Sequence, residues 1–253
     1  MDMTFLKWRK TLHKRNPEIV MIVANSSPTL VERHRSTRLV RISDSPKGEQ
    51  PYSIRRQHNM AFVRDKTLRP PELDVKTAIG YTVERDAADG RPAHLWCRDH
   101  DMLNDYSVKF ATAGMITHGC IANLDNYETE IPNHAKFKDA VSLGNKVSPY
   151  FASTRPLRWA AIHYSKYARD KYLPDESLAW RKVLYPMCGA YKSLLRAHLP
   201  AGIITDSQLE QGLLHGYKIL FLPAPQHLTV NMKKAVEAFK QAGGKVIEQQ
   251  NYW

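Results

Sequence analysis

Apolar positions in this chain fall into short runs divided by polar loops, and the runs alternate between two periods. Phe5, Leu6, Trp8 and Leu12 recur near helical spacing, which predicts a helix over 3–15. Asn16-Pro17 ends it, because the residue before proline avoids the helical region. Glu18-Ile-Val-Met-Ile-Val-Ala24 is continuously apolar, the pattern of a parallel strand buried on both faces. Asn25-Ser-Ser-Pro28 is the loop at its C-terminal end. Arg38-Leu-Val-Arg-Ile42 predicts a second strand, Ser43–Gln50 a polar loop, and Tyr52–Val63 a helix.

Two short runs then compete for the third strand, Thr77–Val83 and His94-Leu-Trp-Cys97. A helix capped by Asn104 follows and stops at His118-Gly119, glycine being the common residue past a helix end. Cys120-Ile-Ala-Asn-Leu124 predicts a further strand, Ala135–Ser148 a helix, and Phe151–Pro156 a linker. The order is that of parallel βα units. About 150 residues hold four such units. They form either an open α/β sheet or half of an eight-stranded barrel, which needs about 250 residues.

The pattern after the linker is cleaner. Strands are predicted at 158–164, 203–205, 218–222 and 245–247, all parallel. A helical segment over 178–199 carries Leu184, Cys188, Tyr191, Leu194 and Leu195, with a break or helix start at Pro186. Thr229 precedes a helix with Met232, Ala235, Val236 and Phe239 on one face, closed by Gly243-Gly244. Residues 1–152 and 153–253 are therefore read as two α/β domains.

Composition narrows the class. The 253 residues are 43% hydrophobic and 25% charged, values of a water-soluble globular chain. No apolar run approaches the roughly 20 residues of a membrane span, and the N-terminus lacks a signal-peptide core. Cys97, Cys120 and Cys188 are widely spaced with no CxxC, which points to reduced thiols and a cytoplasmic protein. Residues 1–70 hold 15 Lys/Arg against 6 Asp/Glu, most of the net charge of +12. Aromatics do not interleave with these charges, so nucleic acid is not expected as a partner. The 11 His lack ligand spacing, and no phosphate-binding glycine loop is present. Neither a metal nor a cofactor is expected.

Three segments carry a resemblance: Arg158-Trp-Ala-Ala-Ile-His-Tyr-Ser165, Tyr217-Lys-Ile-Leu-Phe-Leu-Pro223 and Ala238-Phe-Lys-Gln-Ala-Gly-Gly-Lys-Val246. Together they resemble the trimerisation-type domain that follows the barrel in β-galactosidases of glycoside hydrolase family 42. That domain is similar to class I glutamine amidotransferases without the nucleophile, and here Pro223-Ala-Pro225 stands where a reactive Cys would be. Phe110–Gly119 looks like the helix before the last barrel strand of these hydrolases. The resemblance implies the C-terminal half of a (β/α)8 barrel followed by a flavodoxin-like domain, both incomplete, and a homo-oligomer formed through 153–253.

Glycoside hydrolysis needs two carboxyl groups flanking the bond, placed in a barrel at the C-terminal ends of strands. Glu49, behind the flexible Gly48, is the first choice as catalytic acid and Asp44 the second; the competing reading makes both solvated loop acids. Trp96 is a candidate platform under a sugar ring, or else a core Trp. Asn25, Asp125 and Asn126 sit at predicted strand ends and suit sugar hydroxyls. His118 is read as structural and Cys188 as packed. A half barrel alone is expected to be inactive on glycosides. The alternative is a non-catalytic assembly or carbohydrate-binding protein built from the same parts.

Overall fold

The computed structural model describes residues 2–18, 22–25, 45–49, 73–91, 93–98, 105–125, 134–172 and 175–248. Two compact units part between Arg155 and Pro156, with Leu73–Ile79 grouped with the second. Each unit holds one four-stranded sheet whose strand pairs are all parallel.

The first unit contains α1 (Asp2–Arg15), β1 (Ile22–Asn25), β2 (Ser45–Glu49), α2 (Leu73–Ala87), β3 (His94–Arg98), α3 (Asp105–Thr117), β4 (Ile121–Asp125) and α4 (His134–Phe151). Its strands lie in chain order, β1-β2-β3-β4. Tyr81 and Ala87 of α2, Ala111 and Met115 of α3, and Ala140 of α4 form one core with Ala93 and Leu95. Helices α2, α3 and α4 therefore share one core against this sheet. Gly119 ends α3 at φ +79, where a side chain would be strained.

Two expectations are corrected. Thr77–Val83 is not a strand but the middle of α2, and His94–Arg98 supplies β3. Tyr81, Thr82 and Val83 are all buried, so this helix is enclosed on several sides and shows no single polar stripe. The loop predicted over Ser43–Gln50 is strand β2 from Ser45 to Glu49. Its sequence, Ser-Pro-Lys-Gly-Glu, has no strand propensity, and pairing on both sides overrides that weak preference. The expected strand at 38–42 and helix at 52–63 lie outside the described residues.

The second unit runs β5 (Ala160–Tyr164), α5 (Lys166–Tyr172), α6 (Glu176–Ala179), a π-helical turn (Trp180–Leu184), α7 (Tyr185–Arg196), β6 (Ala201–Thr205), α8 (Asp206–Glu210), β7 (Ile219–Leu222), α9 (Val230–Gln241) and β8 (Lys245–Glu248). The strand order is β6-β5-β7-β8, so the direction of winding reverses beside β5. Ala161, Ile204, Leu220 and Leu222 pack with Leu209 of α8 and with Met232, Val236 and Phe239 of α9. Helix α7 packs on β5, β6 and β7 as well. Every residue of β5 is buried.

Local signals explain the boundaries. Pro186 stands just past the π-helical turn Trp180–Leu184, where the helical hydrogen-bond pattern changes. Thr229 Oγ1 accepts from the Met232 N–H at 3.2 Å and caps α9, which ends at Gly243 with φ +87.

Candidate functional site

One face of the first sheet packs on helices, and register sorts the strand residues between that face and the opposite one. Leu95 is fully buried in the helical core, and Ala122, its partner on β4, packs against the same core. Side chains alternate along a strand, so positions 94, 96 and 98 of β3 lie on the opposite face. So do positions 121, 123 and 125 of β4, and Ile121 is 45% exposed.

Residues paired across parallel strands share a face. Glu49 pairs with Trp96, and Trp96 pairs with Asn123. These three positions fall in one row on the face opposite Leu95, toward the C-terminal ends of β2, β3 and β4. Arg98 and Asp125 form the last pair beyond that row. Two expected contacts, Trp96 and Asp125, thus join Glu49 on one face at one end of the sheet. Asn25 pairs with Gly48, which pairs with Leu95, so register assigns it to the helical face. Glu49 itself ends a strand; it does not lie in a loop. Asp44 and Asn126 lie outside the described residues.

Asn123 was not among the expected site residues. Its signal was available: it is a polar residue two places after Ile121 in an otherwise apolar run. Only the register shows that it shares a row with Glu49.

The second unit carries a buried polar cluster at the C-terminal ends of β5 and β6, which sequence reasoning also missed. His163 is 1% exposed, and its Nε2 lies 2.9 Å from Asp206 Oδ1. The other carboxylate oxygen, Oδ2, accepts the Tyr167 N–H at 2.8 Å. Ser165 Oγ accepts the Ala168 N–H and begins α5. Burial raises the Asp206 pKa, but hydrogen bonds from His163, Tyr167 and Ser165 outweigh it and hold the carboxyl below its usual range. His163 Nδ1 has no hydrogen-bond partner.

Arg169 is buried beside this pair. Its Nη1 donates to Tyr164 Oη at 2.8 Å, and Nε and Nη2 donate to Asp170 Oδ1 at 2.9 and 2.7 Å. Burial pushes the Tyr164 phenol up. Burial alone would lower the Arg169 pKa, but Tyr164 and Asp170 raise it. The tell-tale residues in sequence were His163 inside an apolar strand and Asp206 directly after one. Beyond β7, Tyr172 Oη meets His227 Nε2 at 2.9 Å, the rings edge to face. The His163–Asp206–Ser165 groups tie the ends of β5 and β6 to the start of α5.

His118 Nδ1 lies 2.7 Å from Gly114 O and its ring meets Tyr81 edge-on. Cys188 is fully buried. Among the described residues no three His, Cys, Asp or Glu are grouped to hold a metal ion, and no helix is long and apolar enough to cross a membrane.

Solved structures share this arrangement. A β-galactosidase from Bacillus circulans sp. alkalophilus aligns with 98% of the chain at TM-score 0.70 and 13% identity, over 38% of its own length. A β-galactosidase from the psychrophilic Marinomonas ef1 aligns with 98% at TM-score 0.67 and 12% identity, over 42% of its length. Gan42B, a GH42 β-galactosidase, aligns with 96% at TM-score 0.67 and 14% identity, over 39%. What matches is the fold. The chain spans about two fifths of each of these proteins. No family model and no curated protein matches its sequence.

Proposed function

We propose that the chain is a glycoside-hydrolase-like protein that addresses the glycosidic bond of a carbohydrate through carboxylate chemistry. In this reading the first unit is the C-terminal half of a (β/α)8 barrel and the second a flavodoxin-like domain. The observation that carries it is the joint alignment of both units, in one order, with β-galactosidases over 96–98% of the chain. Sheet orders support it. A barrel adds each strand next to the last, as β1-β2-β3-β4 does. A flavodoxin-like sheet begins 2-1-3-4, as β6-β5-β7-β8 does.

Glu49 is the proposed acid, at the end of β2 where barrel enzymes keep their chemistry. Its carboxyl would protonate the leaving oxygen as the sugar gains oxocarbenium character. The chain alone is expected not to turn over aryl glycosides, since in this reading it holds only half of a barrel. That same fact favours a second reading, in which the chain binds sugar or assembles without catalysis, the 153–253 domain serving as the contact between copies.

A basic iminosugar separates the two. It mimics the developing charge and binds a carboxylate site more tightly than a neutral sugar does. Calorimetric titration with 1-deoxygalactonojirimycin and with methyl β-galactoside is expected to favour the iminosugar by at least about tenfold, and Glu49→Gln to abolish that preference. Equal affinity for the two ligands would leave the binding-only reading. Aryl-galactoside turnover lost in Glu49→Gln would overturn the expected inactivity.

A further inference from the structure

Helix α1 carries its exposed apolar residues beside its cations. Positions three, four and seven apart share a helix face, and α1 divides into three stripes on that spacing. Leu6, Arg9 and His13 form the half-buried stripe. Lys7, Lys10 and Lys14 form a second stripe, all exposed. Trp8, Leu12 and Arg15 form the third, and there the indole is 57% exposed and the leucine 38%. A surface helix ordinarily buries its apolar stripe. Here an Arg and a His take part of the covered side, while Trp8 and Leu12 face outward.

Between Asp2 and Glu18 the sequence has no acidic residue. Among the described residues no carboxylate pairs with Lys7, Lys10, Lys14 or Arg15. Cations in the last turn favour the helix dipole, which accounts for Lys14 and Arg15. Lys7 and Lys10 lie before that turn, where the dipole gives them no support.

We propose that this face of α1 is a docking surface for an anionic lipid bilayer, with the helix lying flat in the headgroup region. Trp8 and Leu12 enter the interface, where an indole keeps its ring in the apolar zone and its N–H in water. Lys7, Lys10 and Lys14 reach lipid phosphates along one flank of that pair, their aliphatic stems lying on the apolar zone, and Arg15 does so at its end. Thr11 lies between the two stripes and donates its hydroxyl back to the Lys7 carbonyl at 2.9 Å, so it brings no unmet donor to the face.

A protein groove fits this face less well. Helices that dock in grooves present apolar anchors at i, i+3 or i+4, and i+7. After Trp8 and Leu12 the next position in that series is Arg15, and the adjoining stripe is cationic throughout. A bilayer interface asks for no shape match, only a shallow apolar insertion beside positive charge. None of these residues belongs to the strand-end row of the first sheet, so the docking face and the carbohydrate reading stand or fall separately.

The test is co-sedimentation of the whole chain with vesicles of phosphatidylcholine alone and of phosphatidylcholine carrying about 30% phosphatidylglycerol. Binding is expected to the anionic vesicles only, and to fall steeply between about 0.1 and about 0.5 M salt. The double variant Lys7→Glu/Lys10→Glu is expected to weaken it at least about tenfold. Lys233→Glu/Lys234→Glu on α9 changes the net charge equally at two exposed positions. That control should shift binding by less than about threefold. Trp8→Ala should weaken binding about tenfold and Trp8→Phe less, which separates insertion from charge. Circular dichroism checks that each variant folds; if Trp8→Ala does not, Trp8→Phe and the lysine pairs still decide. No binding to anionic vesicles, equal losses in the α1 and α9 pairs, or indifference to Trp8→Ala overturns the proposal. So does a chain that ignores vesicles but self-associates through Trp8 in sedimentation equilibrium, or that binds a single-stranded oligonucleotide in their place.

Discussion

Two four-stranded parallel sheets stand in one chain, and they differ in what their faces do. The first is wound in one direction, and its helices gather on one face around Leu95. The second reverses beside β5, so helices pack on both faces and β5 is buried throughout. Strand register sets positions 49, 96 and 123 of the first sheet on the face opposite Leu95. The second uses its polar residues internally, as the His163–Asp206 and Arg169–Asp170 pairs do. Burial raises the Asp206 pKa, yet hydrogen bonds from His163, Tyr167 and Ser165 fix this residue at the strand ends and hold its carboxyl low.

The largest expected effect comes from removing the residue that makes the first sheet one-sided. Leu95→Ala would open a cavity beneath Tyr81 and Met115 and cost about 3 kcal/mol in urea unfolding. Slower-exchanging amides of β3 and β4 should become fast, while those of β5 and β7 stay protected. Equal loss of protection in both sheets would show that the two units do not hold their cores separately.

Next in size is Asp206→Ala. It removes the acceptor of the His163 ring and of the Tyr167 N–H and leaves both donors unmatched. The expected cost is about 2–3 kcal/mol, seen as lost protection at the ends of β5 and β6. Sugar binding at the first sheet should not change. If it does, the separation of scaffold from site drawn above is wrong.

Acid and alkali should act on different residues of the two units. The Asp206 carboxyl is held low in the fold, so its contribution is complete above the ordinary aspartate value of about 3.9 and fades as pH falls through the lower folded value. Asp206→Asn should flatten that acid slope. Burial pushes the Cys120 thiol far up. Its contribution is therefore complete below about pH 8.5, the unfolded value, and fades as pH rises toward the folded one. Cys120→Ala should flatten the alkaline slope. Thermal melts from pH 3 to 10 on the two variants check both signs, and a variant whose slope matches the parent removes that residue from the account.

Much of the second unit was legible in sequence. Strands β5, β6 and β7 are mostly apolar runs of four or five residues, and helices α7 and α9 carry one-faced patterns. The first unit was harder for physical reasons. Ser45–Glu49 has the composition of a loop and becomes a strand because both neighbours pair with it. Tyr81–Val83 has the apolar density of a strand and is helix because α2 is enclosed. In sequence Glu49 stands out for its carboxyl and its glycine neighbour, and Trp96 for its ring. Their alignment with Asn123 is a property of register, which depends on long-range pairing and has no local trace.

The smallest effect tests how far local signals reach. Thr229 was read from sequence as the residue that starts α9, and its hydroxyl accepts the Met232 N–H at 3.2 Å. Thr229 Oγ1 also donates to Glu210 Oε1 at 2.8 Å, which ties the start of α9 to the end of α8. Thr229→Ala removes both bonds and should cost about 1 kcal/mol, the usual value of a helix cap. Thr229→Asn keeps a capping oxygen for the Met232 N–H and should recover most of that loss. If instead Thr229→Asn is as unstable as Thr229→Ala, the link to Glu210 outweighs the cap. The start of α9 would then be set by tertiary contact, as β2 is in the first unit, and the contrast between a locally encoded second sheet and a tertiary-encoded first one would narrow.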